Sequence, residues 1–129
     1  MTDLSKIIIA CFVLCVALGA FSSHFAEFIL TKKQLKTFQI GTNYLLYNVL
    51  ILLPLSLSEK VNLKKYKSFL FLLMVSIFLF SGSLWLLAFQ THLPILSGVP
   101  FGIFTPIGGL LMMFSYLFLI LQKDPEKKN

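Results

Sequence analysis

His24 and Glu27 are the residues best placed to do chemistry, being the only histidine and the only carboxylate inside an apolar segment. On a helix they share one face with Ala10, Val13, Ala17 and Ala20, because all recur at three- and four-residue steps. In the next apolar segment Gln39, Asn43 and Tyr47 fall on successive turns, and Tyr44 and Asn48 sit one turn apart beside them. A short link joins the two segments, so they should pack antiparallel, with His24 and Glu27 facing Gln39, Asn43 and Tyr44. That arrangement predicts a polar pocket open to the outside. His24 would carry a proton or bind a ligand there, with Glu27 as its charge partner. The competing reading is interhelical glue, worth roughly 0.6 kcal/mol per contact.

Other reactive side chains carry less. Cys11 and Cys15 lie one turn apart in the first apolar run, where a single helix rarely has the geometry for a disulfide. Ser22 and Ser23 read as helix serines bonded to their own backbone. His92 stands alone in a connector, and two unrelated histidines make a poor haem signal. No spacing sets out a catalytic group, a metal site or a cofactor loop, so none is expected.

The elements that must hold these residues follow from composition. The 129 residues are 57% hydrophobic and only 12% charged, against roughly 25% charged in soluble domains. A single domain of this size cannot hide that much apolar surface from water, so a bilayer must be its solvent. The expected fold is an all-α membrane protein, one antiparallel bundle of four transmembrane helices over about 6–30, 37–57, 68–89 and 103–121. A polar tail over 122–129 is expected to be flexible.

Thr31 and Gln34 have capping-box spacing and predict a helix start ahead of the second span. Pro54 falls in that span's last turn, where it can bend or end the helix. Thr105 suits an N-cap and Pro106 a first helical position for the fourth span. Ala17, Ala20, Gly82, Gly108 and Gly109 are the expected points of close helix packing. The net charge of +6 comes from lysines flanking the spans, which argues for lipid head groups and against nucleic acid. Lys6, Lys60, Lys64, Lys65, Lys67, Lys123, Lys127 and Lys128 would share one side, opposite Lys32, Lys33 and Lys36. The positive-inside bias then puts both termini in the cytoplasm, in a multi-pass cell-membrane (inner-membrane) protein.

Four stretches together resemble one family. They are Leu18-Gly19-Ala20-Phe21 with His24; Leu35, Phe38, Gly41, Tyr44 and Tyr47 at three-residue steps; Phe80-Ser81-Gly82-Ser83-Leu84; and Thr105-Pro106-Ile107-Gly108-Gly109. The chain is similar to the small multi-pass membrane proteins of the domain of unknown function 423 family. The resemblance implies a membrane protein without an assigned activity. It also implies a second histidine where this chain has Asn48, which favours a structural part for the polar strip.

The expected function is therefore a non-enzymatic accessory or scaffold component, in contact with membrane lipids and assembled as a homo-oligomer or within a larger membrane complex. The alternative is a small-solute or proton-coupled transporter or channel working as an oligomer.

Overall fold

A computed structural model of the chain describes residues 2–122. The expected tail beyond Gln122, with Lys123, Lys127 and Lys128, lies outside the described residues. Among the described residues four helical stretches are long and apolar enough to cross a membrane: Asp3–His24, Lys32–Leu57, Lys67–His92 and Phe101–Leu121. No strand occurs among the described residues.

Helix α1 spans Asp3–His24 and starts on Thr2, whose hydroxyl accepts from the Ser5 N–H. It breaks at Phe25, and a single turn, α2 (Ala26–Ile29), carries the chain to the link. Helix α3 (Lys32–Leu57) opens on the capping box predicted above: Thr31 Oγ1 accepts from the Gln34 N–H, and Gln34 Oε1 accepts from the Thr31 N–H. Pro54 does not end this helix, which runs one more turn to Leu57. So close to the C-terminus, the missing proline N–H deprives only the Leu50 carbonyl of its partner.

The third span is composite. Helix α4 (Lys67–Ile77) passes into a π turn over Phe78–Gly82, and α5 (Ser83–Phe89) completes it. A short 3-10 turn, Gln90–His92, leads into the connector. There the two amide hydrogens of Gln90 Nε2 serve the carbonyls of Leu96 and Val99, each at 2.9 Å. Gly98 takes φ +84°, a turn conformation that a side chain would strain.

Helix α6 (Phe101–Leu121) corrects the predicted start of the fourth span. Thr105 is not an N-cap and Pro106 is not a first helical residue; both sit in the second turn. Burial of Phe101 draws the chain into a helix one turn earlier. Pro106 then removes only the bond to the Gly102 carbonyl, a small loss near a helix start.

Two buried clusters hold the helices together. At one end Ile8, Val49, Leu52, Leu63, Phe69, Leu73 and Met112 pack into one cluster. At the other, Ala26, Leu30, Phe38 and Ala88 lie among Phe21, Trp85 and Phe89. Helix α1 leans chiefly on α3, while α6 packs on α4, the π turn and α5. Ser5 Oγ meets Ser56 Oγ at 3.2 Å, and the rings of Phe21 and Phe38 lie 6.0 Å apart, so contact runs the length of α1.

The face of α1 that meets α3 is not the predicted one. Leu4, Ile8, Cys11, Cys15, Leu18 and Ser22 are buried or half-buried, at alternating four- and three-residue steps. This is a heptad seam, which suits side chains interlocking along a neighbouring helix. The strip of Ala10, Val13, Ala17, Ala20 and His24 lies on the opposite side, exposed, with Val13 at 61%.

Candidate functional site

The expected pocket is not assembled. His24, Glu27, Asn43, Tyr44 and Tyr47 are exposed, and Gln39 is half-buried. Neither His24 nor Glu27 makes a side-chain hydrogen bond or ion pair among the described residues. The cause lies in the seam: once Ile8, Cys15 and Ser22 turn to α3, residues half a turn away must look outward. Tyr44 and Tyr47 instead stack edge to face, 5.4 Å apart, and Tyr44 lies 4.7 Å from the ring of Phe80.

Asn48 is the one predicted pocket residue that is buried, at 2% exposure. Its Nδ2 donates to the Tyr44 carbonyl at 2.7 Å and to Met112 Sδ at 3.4 Å. Its Oδ1 accepts from Tyr116 Oη at 2.7 Å. Donors and acceptor are thus all engaged, tying α3 to α6 across the middle of the bundle. Tyr116 escaped the sequence reading. Its signal was a polar tip within an otherwise apolar helix, which when buried requires a partner.

A second set of polar contacts surrounds the π turn. Ser81 Oγ donates to the Gly41 carbonyl at 2.8 Å, and Trp85 Nε1 donates to Thr42 Oγ1 at 3.2 Å. Ser83 Oγ and Thr105 Oγ1 share a hydrogen bond of 2.7 Å. Small residues let these helices come close. A Cβ on Gly108 would lie 2.6 Å from the backbone nitrogen of Phe80, so α6 meets the π turn backbone to backbone. On Gly109 it would touch the Phe80 ring at 3.4 Å, and on Gly41 the Trp85 indole at 3.0 Å.

The expectations for Gly82, Ala17 and Ala20 need correction. A Cβ on Gly82 would meet nothing within 4 Å, because the wide π turn carries that residue off the contact line. The two alanines belong to the outer strip of α1. Ser22 and Ser23 both donate to the Gly19 carbonyl, at 2.9 and 3.0 Å, and so serve their own helix.

Two open grooves mark the outside of the bundle. One of ≈ 590 Å³ is lined by Lys33, Gln34, Thr37, Gln90, Thr91 and Ser97, among others, and is bridged by a 2.9 Å bond from Gln34 Nε2 to Thr91 Oγ1. The other, of ≈ 530 Å³, lies among Lys67, Ser68, Phe71, Leu72 and Phe118. Among the described residues no three His, Cys, Asp or Glu side chains gather as metal ligands would.

These features define a class: an all-helical membrane protein whose four apolar helices are joined by hydroxyl, amide and glycine contacts. Over residues 18–109 the chain matches the family described as "Protein of unknown function (DUF423)". The chain belongs to this family. It is similar to a UPF0382 membrane protein of Haemophilus influenzae, 36% identical over 105 residues, covering 81% of this chain and 80% of the relative. It is also similar to UPF0382 membrane protein YwdK of Bacillus subtilis, 32% identical over 110 residues, covering 84% and 85%. A third relative, UPF0382 membrane protein SH2409 of Staphylococcus haemolyticus, is 33% identical, with 86% of each chain covered. No solved structure matches.

Proposed function

We propose that the chain is a non-enzymatic accessory or scaffold component of the cell membrane, assembled with itself or within a larger membrane complex and surrounded by lipid. One observation carries this reading: the ionisable pair His24 and Glu27 looks away from the bundle. Proton-coupled transport through a single copy needs such a group inside, where it can be shielded and exchanged. Here the interior polar groups Asn48, Tyr116, Ser81, Ser83 and Thr105 are engaged with one another or with backbone. Ionisable side chains facing lipid are costly, so the outward pair favours a protein surface over a bare lipid one.

The bundle is antiparallel, with both termini in the cytoplasm. Supporting this, the start of α1 touches the end of α3 through Ser5 and Ser56, and the end of α1 touches the start of α3 through Phe21 and Phe38. The lysine distribution favours the cytoplasm for the side carrying Lys6, Lys60, Lys65 and Lys67.

Isolation from membranes in mild detergent, with mass spectrometry of what copurifies, tests the role. A stable assembly is expected. A chain that behaves as a lone monomer and moves a solute or protons in liposomes, with flux abolished by Glu27→Gln or His24→Ala, would reverse the reading in favour of a transporter.

A further inference from the structure

We infer that the outer strip of α1 is the contact surface for a second copy of this chain, closed by reciprocal pairing of His24 on each copy with Glu27 on the other. The inference deepens the assembly proposed above and rests on it. Helix α1 sits at the edge of the bundle, spending its heptad seam on α3 and leaving the opposite strip uncovered by the described residues. Ala10, Ala17 and Ala20 keep that strip low, so another helix can approach closely. Next to them His24 and Glu27 stand exposed and without a side-chain partner among the described residues.

The charge pattern selects the occupant. An imidazole at the last residue of α1 and a carboxylate on the turn α2 that follows are complementary to the same pair related by a two-fold axis. Copies inserted in the same orientation place that axis along the membrane normal, and the interface is then isologous. Each imidazole N–H donates to the carboxylate of the other copy, so one symmetric contact satisfies four polar groups. Lipid tails offer neither group a partner. Exposed Val13 and Val16, with Phe12 beside them, supply apolar contact below the polar pair.

Disulfide trapping in native membranes tests the surface, in a background where Cys11 and Cys15 are replaced by alanine. Ala20→Cys and Ala17→Cys should give a covalent dimer on mild oxidation, and Leu110→Cys, exposed on α6, should not. The charges are tested by exchange. His24→Glu sets like charges face to face and should lower the Ala20→Cys dimer yield about ten-fold. The double variant His24→Glu with Glu27→His should restore it. The tested positions sit on exposed faces, while the alanines at Cys11 and Cys15 fall in the seam. A melting temperature in detergent equal to that of the alanine background, itself folded, therefore shows that the bundle is intact.

Absence of trapping at both alanines, equal trapping at Leu110→Cys, or no rescue by the exchange overturns the inference. If trapping fails while a different membrane protein copurifies, the accessory role stands without this dimer. If the dimer forms and conducts protons, the interface stands and the accessory role falls.

Discussion

Gly108 on α6 and Gly82 in the π turn that α6 packs against should answer the same substitution in opposite ways. A methyl group on Gly108 meets the backbone of Phe80 at 2.6 Å, and backbone cannot step aside as a side chain can. Gly108→Ala should therefore destabilise the protein by about 1–3 kcal/mol, seen as a lower melting temperature in detergent. Gly82 has ordinary helical angles, φ −61° and ψ −44°, with open space around it. Gly82→Ala should be neutral or stabilising by about 0.4–1 kcal/mol in the same assay, because it stiffens the unfolded chain. The Asn48–Tyr116 bond calls for a double-mutant cycle. Tyr116→Phe and Asn48→Leu should couple by about 0.6–1.7 kcal/mol, the span of such bonds within membranes.

At the scale of elements, the π turn makes a different kind of prediction. A turn closed by i→i+5 bonds holds about one residue more than one closed by i→i+4 bonds. Deleting Gly82 should let α4 run straight into α5 with both contact faces kept, so the variant should still insert and fold. Deleting Leu72 within α4 turns every later residue by about 100° and should abolish folding, read as loss of monodisperse protein after extraction.

The elements themselves were legible in the chain. Thr31 and Gln34 announce the start of α3, and runs of about twenty apolar residues announce the spans. The face of α1 was not. An apolar stripe stands out only against a polar background, and α1 has almost none. The small residues and His24 drew attention to one side, while the heptad of Leu4, Ile8, Cys11, Cys15, Leu18 and Ser22 on the other decided the packing. Thr105 and Pro106 misled for a related reason. Capping residues mark a helix start only where nothing upstream is buried, and Phe101 is. Of the polar residues, Asn48 could be found from its type and place. Its partners Met112 and Tyr116 come from a helix more than sixty positions away, beyond any local pattern.

For the whole molecule, the proposed arrangement puts Asp3 in the cytoplasm and Thr91 on the opposite side of the bilayer. Single cysteines replacing Asp3 and Thr91, in the alanine background at Cys11 and Cys15, separate the alternatives. A membrane-impermeant maleimide applied to intact spheroplasts should label Thr91→Cys and spare Asp3→Cys. Labelling of Asp3→Cys alone would invert the orientation. Labelling of both would put the start of the chain and the connector on one side, which an odd number of crossings between them forbids.

Because α1 leans chiefly on α3, with Ser5 against Ser56 and Phe21 beside Phe38, the two make a pair complete once Leu57 has been synthesised. The remaining helices, α4 to α6, close on each other about Phe80 and Gly108. A gene divided between Ser58 and Asn62 should therefore give two halves, each able to enter the bilayer unaided and to find the other there. Recovery of the intact assembly from separately expressed halves would make the molecule a pairing of two autonomous insertion units.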